Sequence, residues 1–268
     1  MLKLVATDMD GTLLDDEKQF PEGTFDTIKR LQGRGIKFAV ASGRAYMSLL
    51  KLYDELKDEI IIIGDNGAVV LDKGEVIYHD QMSAANLRLL VDEIRQIPET
   101  KINICGLKSA YLFEDEMDEM LESIINTYFP VVEIIKSIDD IPADESILKL
   151  AVFDGNNNAK KNIYGNLSHL SDLFEILPSG AEWADIMNKG MNKGKAIEKL
   201  QEMYAIAYEE TMVFGDQMND YDMLKQAYYS YAMDNAVDEI KQIANFRAPA
   251  NTEAGVIRVL ENFLAMTK

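Results

Sequence analysis

Leu4-Val5-Ala6-Thr7-Asp8-Met9-Asp10-Gly11-Thr12 reads as an apolar strand that runs out into two acids spaced i, i+2, with a glycine to turn the chain. Carboxylates are rarely set beside an apolar strand unless something pairs with them, usually a cation. The stretch therefore predicts a buried strand ending at an open sheet edge. It also predicts a metal-assisted site with a carboxylate available for attack.

Working outward, the first third alternates strand and helix. Strands are expected over residues 2–7, 36–41 and 60–63, and helices over 21–31 and 46–56. In the first helix Phe25, Ile28 and Leu31 share a face, Pro21 suits the first turn, and Gly33 and Gly35 end it. This βαβαβ order argues for a parallel sheet covered by helices, an α/β fold. Strands at 68–71 and 75–78 flank Asp72-Lys73-Gly74, which reads as a hairpin turn.

The middle has a different texture. Acidic amphipathic helices are expected over 83–97 and 115–128, and short strands over 101–105, 110–113, 131–135, 147–153, 174–177 and 183–187. Asn156-Asn157-Asn158 marks a polar loop or a helix start. No Asp-x-Asp pair, glycine-rich phosphate loop or metal-ligand spacing occurs here, so the segment reads as an inserted α+β domain. Alternation then returns, with helices at 195–204, 221–227, 237–244 and 256–266 and strands at 211–214 and 229–232. The expected organisation is a doubly wound core from residues 1–80 and 184–268, interrupted by an insert at 81–183.

Composition narrows the function. At 268 residues the chain is near the upper limit for a single core. No apolar run is long enough to span a bilayer, and the N-terminus lacks a signal-peptide pattern, so a cytoplasmic location is expected. A single cysteine, Cys105, excludes an internal disulfide, fits a reducing compartment and reads as a packing residue. His79 and His169 sit in no Cys/His spacing, which argues against a histidine-based zinc site. The formal net charge of −19 repels nucleic acid and anionic membranes, so neither is an expected partner. Any anion site must be made locally, by metal, lysine and backbone N–H groups.

Four places carry chemistry, each following an apolar strand or opening a helix: Asp8-x-Asp10-Gly11-Thr12, Ser42-Gly43-Arg44, Asn192-Lys193-Gly194-Lys195, and Gly215-Asp216-Gln217-Met218-Asn219-Asp220. Ligands of open parallel sheets bind beyond the carboxyl ends of the strands, where these segments would converge. Each motif alone is weak: Ser-Gly-Arg is a common loop, and Asp216 or Asn219 could simply cap a helix. Together, in this order, they resemble the haloacid dehalogenase superfamily, and within it the Cof-type, subfamily IIB phosphatases. Further matches are Asp65-Asn66-Gly67-Ala68, the run from Asp185 to Gly194, Ala232-Met233-Asp234-Asn235-Ala236 and Asn251-Thr252-Glu253-Ala254-Gly255-Val256. Asp234 departs from the glycine common at its position.

The resemblance implies a Mg²⁺-dependent phosphatase of small phosphorylated metabolites, sugar phosphates first among them, acting through an aspartyl-phosphate. It implies Asp8 as nucleophile and Asp10 as general acid and base, with Asp8, the Asp10 backbone carbonyl and Asp216 around the metal, and Asp220 holding that shell or reaching the metal through water. Ser42 and the Gly43 N–H would bind phosphoryl oxygens with Lys193, and Asn219 could add a donor; Arg44 is open to either a phosphate contact or a structural ion pair. Helpers are necessary because a carboxylate about 4 Å from a phosphate dianion meets roughly 8 kcal/mol of repulsion at an effective dielectric of ~20. The insert would act as a cap that selects the leaving group, and the assembly expected is a monomer or weak homo-oligomer. Competing readings are a phosphotransferase or mutase with the same nucleophile, a receiver-like signalling module, and a metabolite-binding regulator.

Overall fold

The computed structural model describes residues 1–118, 131–179 and 181–266. The chain divides into two compact units. The first comprises Met1–Ser42, Leu49–Tyr78 and Asn192–Lys268; the second comprises Gly43–Ser48 and His79–Met191.

The first unit is built on an eight-stranded sheet. Its strands are β1 (Leu4–Asp8), β2 (Lys37–Ala41), β3 (Ile61–Gly64), β4 (Val69–Asp72) and β5 (Glu75–His79), with β12 (Thr211–Gly215), β13 (Tyr229–Met233) and β14 (Phe246–Ala248) from the last part of the chain. The order is β14-β13-β12-β1-β2-β3-β4-β5. β1 lies at the centre, parallel to β12 on one side and β2 on the other, and Asp8 stands opposite Ala41. Every residue of β1, β3 and β12 is buried, as expected of strands covered on both faces. The sheet turns antiparallel at β4, which pairs antiparallel with β3 and leads through a hairpin into its other neighbour, β5. The turn after β4 places Lys73 at φ 54° and Gly74 at φ 75°, both positive as a tight two-residue hairpin turn requires.

The helices follow the sequence pattern with two corrections. α1 runs Thr24–Gln32, not from Pro21: Gly23, at φ 80°, makes the entry, and the Thr24 N–H bonds back to the Pro21 carbonyl in a preceding turn. α2 runs Tyr46–Leu52 and stops short of the expected residue 56. Asp54 and Glu55 follow just after Tyr53, and acids are unfavourable at the negative end of a helix. Edge strand β14 escaped the sequence reading because three residues with an exposed arginine in the middle show no pattern. Asp234 does not adopt a positive φ, so its departure from glycine introduces no backbone strain.

The second unit carries α3 (Ala84–Ile94) and a six-stranded sheet. Its strands are β6 (Thr100–Gly106), β7 (Ala110–Phe113), β8 (Val132–Ile135), β9 (Ile147–Asp154), β10 (Phe174–Pro178) and β11 (Trp183–Asn188), in the order β10-β11-β9-β6-β7-β8. All pairings are antiparallel except β7 with β8. Ser83 caps α3, its side chain accepting from the Asn86 N–H at 3.1 Å. Leu87, Leu90 and Ile94 of α3 pack with Ile102, Ile104, Leu150, Val152, Ala184 and Ile186 in one core. Because β11 pairs with both β9 and β10, this sheet runs to Asn188 and the unit to Met191, past the boundary expected at 183. Glu114–Glu116 forms a single 3₁₀ turn where a helix over 115–128 was expected; the remainder of that helix, from residue 119, lies outside the described residues. Cys105 is buried in β6. Among the described residues, no helix is long and apolar enough to cross a membrane.

Candidate active site

The site forms where β1 and β12 end side by side. Asp8 closes β1, and Asp216 follows Gly215, the last residue of β12. Lys193 opens α4 (Lys193–Tyr204), two residues earlier than the sequence reading placed the helix start, because Asn192 is the N-cap: its side-chain oxygen accepts from the Lys195 N–H at 2.9 Å. Wholly buried, the Lys193 ammonium donates to Asp8 Oδ1 at 2.5 Å and to Asp220 Oδ1 at 2.7 Å.

Each acid is held by named partners. Asp220 Oδ2 accepts from the backbone N–H groups of Asp216 (3.0 Å) and Gln217 (3.2 Å), so both of its oxygens are committed to protein donors. Asp216 Oδ1 accepts from the Thr12 hydroxyl at 2.7 Å, and Asp216 Oδ2 from the Gln217 side chain at 3.3 Å. Gly11, at φ 85°, lies against the same carboxylate. A Cβ there would stand 2.6 Å from Asp216 Oδ2, which explains why glycine ends the motif's turn.

Asp8, Asp216 and Asp220 bring carboxylate oxygens within 4.8 Å of one another, all in buried positions. Burial pushes the Asp8 carboxyl well above its ordinary value; Asp220 and Asp216 add to this, and Lys193 opposes it. Asp216 is raised too, mainly by burial and by Asp220, against the Thr12 hydrogen bond. Burial alone would lower the Lys193 ammonium, but Asp220 and Asp8 outweigh it and hold the ammonium protonated above its ordinary range. Three acids facing one ammonium leave an excess of negative charge. A cluster with oxygen donors only suits a hard divalent cation. The Asp8 and Asp216 oxygens stand within 4.8 Å of each other, a crowding of acids that a cation relieves. The residues present therefore fit a hard divalent cation, which Asp8 and Asp216 could hold while Asp220 is engaged by its backbone and lysine bonds.

The remaining expected residues are placed as follows. Ser42 is buried and directly follows β2, the strand beside β1; its N–H donates to the Ile63 carbonyl and its carbonyl accepts from the Asn66 N–H. Asn219 Nδ2 reaches Asn66 Oδ1 at 3.4 Å. Asp10 stands outside the acid cluster: it is part exposed, and its carboxylate pairs with Lys18 at 3.0 Å. Gly43 and Arg44 begin the stretch 43–48 that packs with the second unit, where the Gly43 carbonyl accepts from Lys149 at 3.2 Å. Asp185, to which the sequence reading gave no role, pairs with Lys149 at 3.1 Å.

Several supporting residues carried no role in the sequence reading. Thr12 orients Asp216. Asn235 donates to the Gly11 carbonyl at 2.8 Å, and Asn251 donates to the Leu14 carbonyl and to Asp16 while its N–H bonds to Asn235 Oδ1. The motifs around Asn235 and Asn251 thus clamp the loop that carries Asp10. Asp65, Asn66 and Gly67 all have positive φ, and a Cβ on Gly67 would stand 2.4 Å from the Asn192 carbonyl. That turn packs against the N-cap that aims Lys193, so Asp65-Asn66-Gly67 acts on the site through its backbone.

Comparison with known proteins gives a consistent picture. The sequence profile of the haloacid dehalogenase-like hydrolases matches residues 5–260. The chain is 28% identical over 264 residues to the 5-amino-6-(5-phospho-D-ribitylamino)uracil phosphatase YbjI of Escherichia coli K12, covering 98% of this chain and 96% of that protein. It is 26% identical over 279 residues to the phosphatase of the same name, YitU, from Bacillus subtilis 168, covering 98% of each. Among solved structures, SMU.1108c of Streptococcus mutans UA159 superposes with a TM-score of 0.86 at 31% identity, over 99% of this chain and 100% of that one.

Proposed function

Since this chain belongs to the haloacid dehalogenase-like hydrolases, of the Cof type, we propose that its phosphatase activity on small phosphorylated molecules depends on Mg²⁺, proceeds through an aspartyl-phosphate on Asp8, and favours phosphate esters of sugars and sugar alcohols. The observation that carries the reading is the buried Asp8–Lys193–Asp220 bridge beside Asp216 at the end of the central parallel strands.

Bound Mg²⁺ supplies charge neutralisation that lets an anionic nucleophile approach an anionic phosphate. In the first transfer an Asp8 carboxylate oxygen bonds to phosphorus, the ester P–O bond breaks, and Asp10 gives its proton to the departing alkoxide. In the second transfer Asp10 takes a proton from water, whose oxygen bonds to phosphorus as the bond to Asp8 breaks, releasing inorganic phosphate. Lys193, fixed by Asp220, holds Asp8 in place and offsets charge building on the phosphoryl oxygens. Ser42, the Gly43 N–H, Arg44 and Asn219 are the proposed phosphate donors. The exposed rim position of Asp10 suits a group that must reach both a leaving group and water.

The preference for sugar and sugar-alcohol esters is supported by the relatives named above, whose substrate, 5-amino-6-(5-phospho-D-ribitylamino)uracil, carries its phosphate on a ribityl group. The inserted unit, with residues 79–191, is proposed to select the leaving group. Phosphate release from a panel of phosphorylated metabolites, with Mg²⁺ and with EDTA, tests the reading: release confined to the Mg²⁺ arm and strongest for sugar or alditol phosphates is expected. Equal release in EDTA would remove the metal from the account.

A further inference from the structure

Lys149 is a buried cation that the reaction above does not use. It lies in β9, 3% exposed, and pairs with the buried Asp185 of β11 at 3.1 Å. Alternation explains why the two meet. Leu150 and Ile186 face the helical core, which leaves Lys149 and Asp185 on the other face of the sheet. The register sets Asp185 opposite Ala151, next on that face to Lys149. Taking two charges out of water is costly, and an apolar pair of similar volume would pack there at least as well. Packing therefore does not account for this ion pair.

The ammonium has a second partner. It donates to the Gly43 carbonyl at 3.2 Å, within the same unit. Tyr46, in the same short stretch 43–48, donates its hydroxyl to the Leu107 carbonyl. One residue before Gly43, the Ser42 carbonyl accepts from the Asn66 N–H at 3.0 Å. The peptide planes on both sides of the Gly43 α-carbon are thus tied through their carbonyls. No cis peptide bond occurs among the described residues, and in a planar trans peptide the N–H points opposite to the C=O. Asn66 therefore sets the direction of the Gly43 N–H, and Lys149 sets the direction in which the chain enters Arg44. Glycine has the widest backbone freedom of any residue, so a Gly43 tied on one side only would let Arg44 swing.

We infer that Lys149 is a positioning residue for phosphate binding: anchored by Asp185, it fixes the Gly43–Arg44 peptide and so aims Arg44 at the phosphate. The inference rests on the phosphatase reading above, in which Ser42, the Gly43 N–H and Arg44 are phosphate donors. Lys149 acts through the backbone rather than on substrate. It orders the loop before phosphate arrives, so that binding does not bear the cost of ordering it. Asp185 balances the buried charge and, as a second anchor, restricts the rotamers through which the ammonium could leave Gly43.

The test measures the affinity of the full chain for inorganic phosphate in the presence of Mg²⁺, by titration calorimetry, beside the kinetics of p-nitrophenyl phosphate turnover. In Lys149→Met the phosphate Kd is expected to rise about tenfold, the loss of one hydrogen bond from a charged donor. KM should rise more than kcat falls, and Mg²⁺ affinity should not change. Lys149→Met/Asp185→Asn, which removes both buried charges, is expected to show the same rise. It covers the case in which the single variant, left with an unpaired carboxylate, fails to fold. Arg44→Ala weakens phosphate binding by itself, and adding Lys149→Met to it is expected to change Kd by less than about twofold, because the side chain to be aimed is gone. Wild-type phosphate affinity in the folded Lys149 variants, or an undiminished further loss on top of Arg44→Ala, overturns the positioning role and leaves the phosphatase reading intact. A wild type that releases no phosphate from p-nitrophenyl phosphate overturns the phosphatase reading and the positioning role with it.

Discussion

Replacing Lys193 by methionine removes the one ammonium that the buried acids share while keeping the length of the side chain. Its contacts with Asp8 at 2.5 Å and Asp220 at 2.7 Å are each worth about 6 kcal/mol of Coulomb attraction at an effective dielectric of ~20. Desolvation of the three buried ions offsets most of that. Removing one partner of such a buried group leaves carboxylates without compensation, and the expected net loss is about 3–5 kcal/mol. At ~2–4 °C per kcal/mol this lowers the melting temperature by about 6–20 °C. Calorimetry in EDTA, across a pH series, is the assay. In the variant only burial, Asp220 and Asp216 act on Asp8, and all of them raise it. A carboxyl raised on folding supplies stability that is fully present below its unfolded value and is lost as pH rises through the folded value. The variant should therefore be weakest at neutral pH and regain stability as pH falls toward the ordinary carboxylate range. A stability within about 1 kcal/mol of wild type, or a variant that loses further stability on acidification, refutes this account of the bridge.

Asp8→Asn is expected to abolish turnover without lowering the melting temperature in EDTA, because it deletes one of the crowded charges; retained turnover would remove Asp8 as nucleophile. Gly11→Ala forces a side chain into φ 85° and places a Cβ 2.6 Å from Asp216 Oδ2. A stability loss of about 1–2 kcal/mol with weakened Mg²⁺ binding by titration calorimetry is expected, and unchanged Mg²⁺ affinity would contradict the placement of Asp216. The Tyr204 phenol, part buried and bonded to Asp72, is pushed up to about 12 by burial and by that bond. Its stabilising effect is complete below the ordinary phenol value and is lost as pH rises through about 12. Tyr111 and Tyr231 are raised as well, so spectrophotometric titration should show a late-titrating group of tyrosines that loses one member in Tyr204→Phe, and an unchanged late phase in the variant would contradict it.

The core strands were legible because central parallel strands are apolar throughout, and the acids at their tips broke that pattern. Asp8, Lys193, Asp216 and Asp220 could each be picked out as polar residues after a strand or at a helix start, and the fold brings those four together. What the sequence hid depended on pairing at a distance. Thr12, Asn235 and Asn251 act through bonds to residues far along the chain, and a hydroxyl or amide in a loop carries no signal of its partner. Asp65-Asn66-Gly67 is turn chemistry on its face, but its packing against the N-cap at Asn192 was hidden likewise. Asn103 resembled any polar residue in an alternating strand until register placed it beside Ala151, with no hydrogen-bond partner for either amide atom among the described residues. The boundary at 183 fell short because strand β11, Trp183–Asn188, gives no sign in its own sequence of which sheet it joins.

The central claim is that Asp8 becomes phosphorylated. Asp10→Asn, mixed with p-nitrophenyl phosphate and Mg²⁺ and quenched in acid, tests it most directly. The nitrophenolate leaves without an acid, whereas the second transfer lacks its base. Mass spectrometry of the digested protein should find a phosphoryl group on the peptide carrying Asp8, sensitive to hydroxylamine and absent in EDTA. Label on any other residue, or wild-type turnover with no phosphorylated peptide in the variant, would contradict the account.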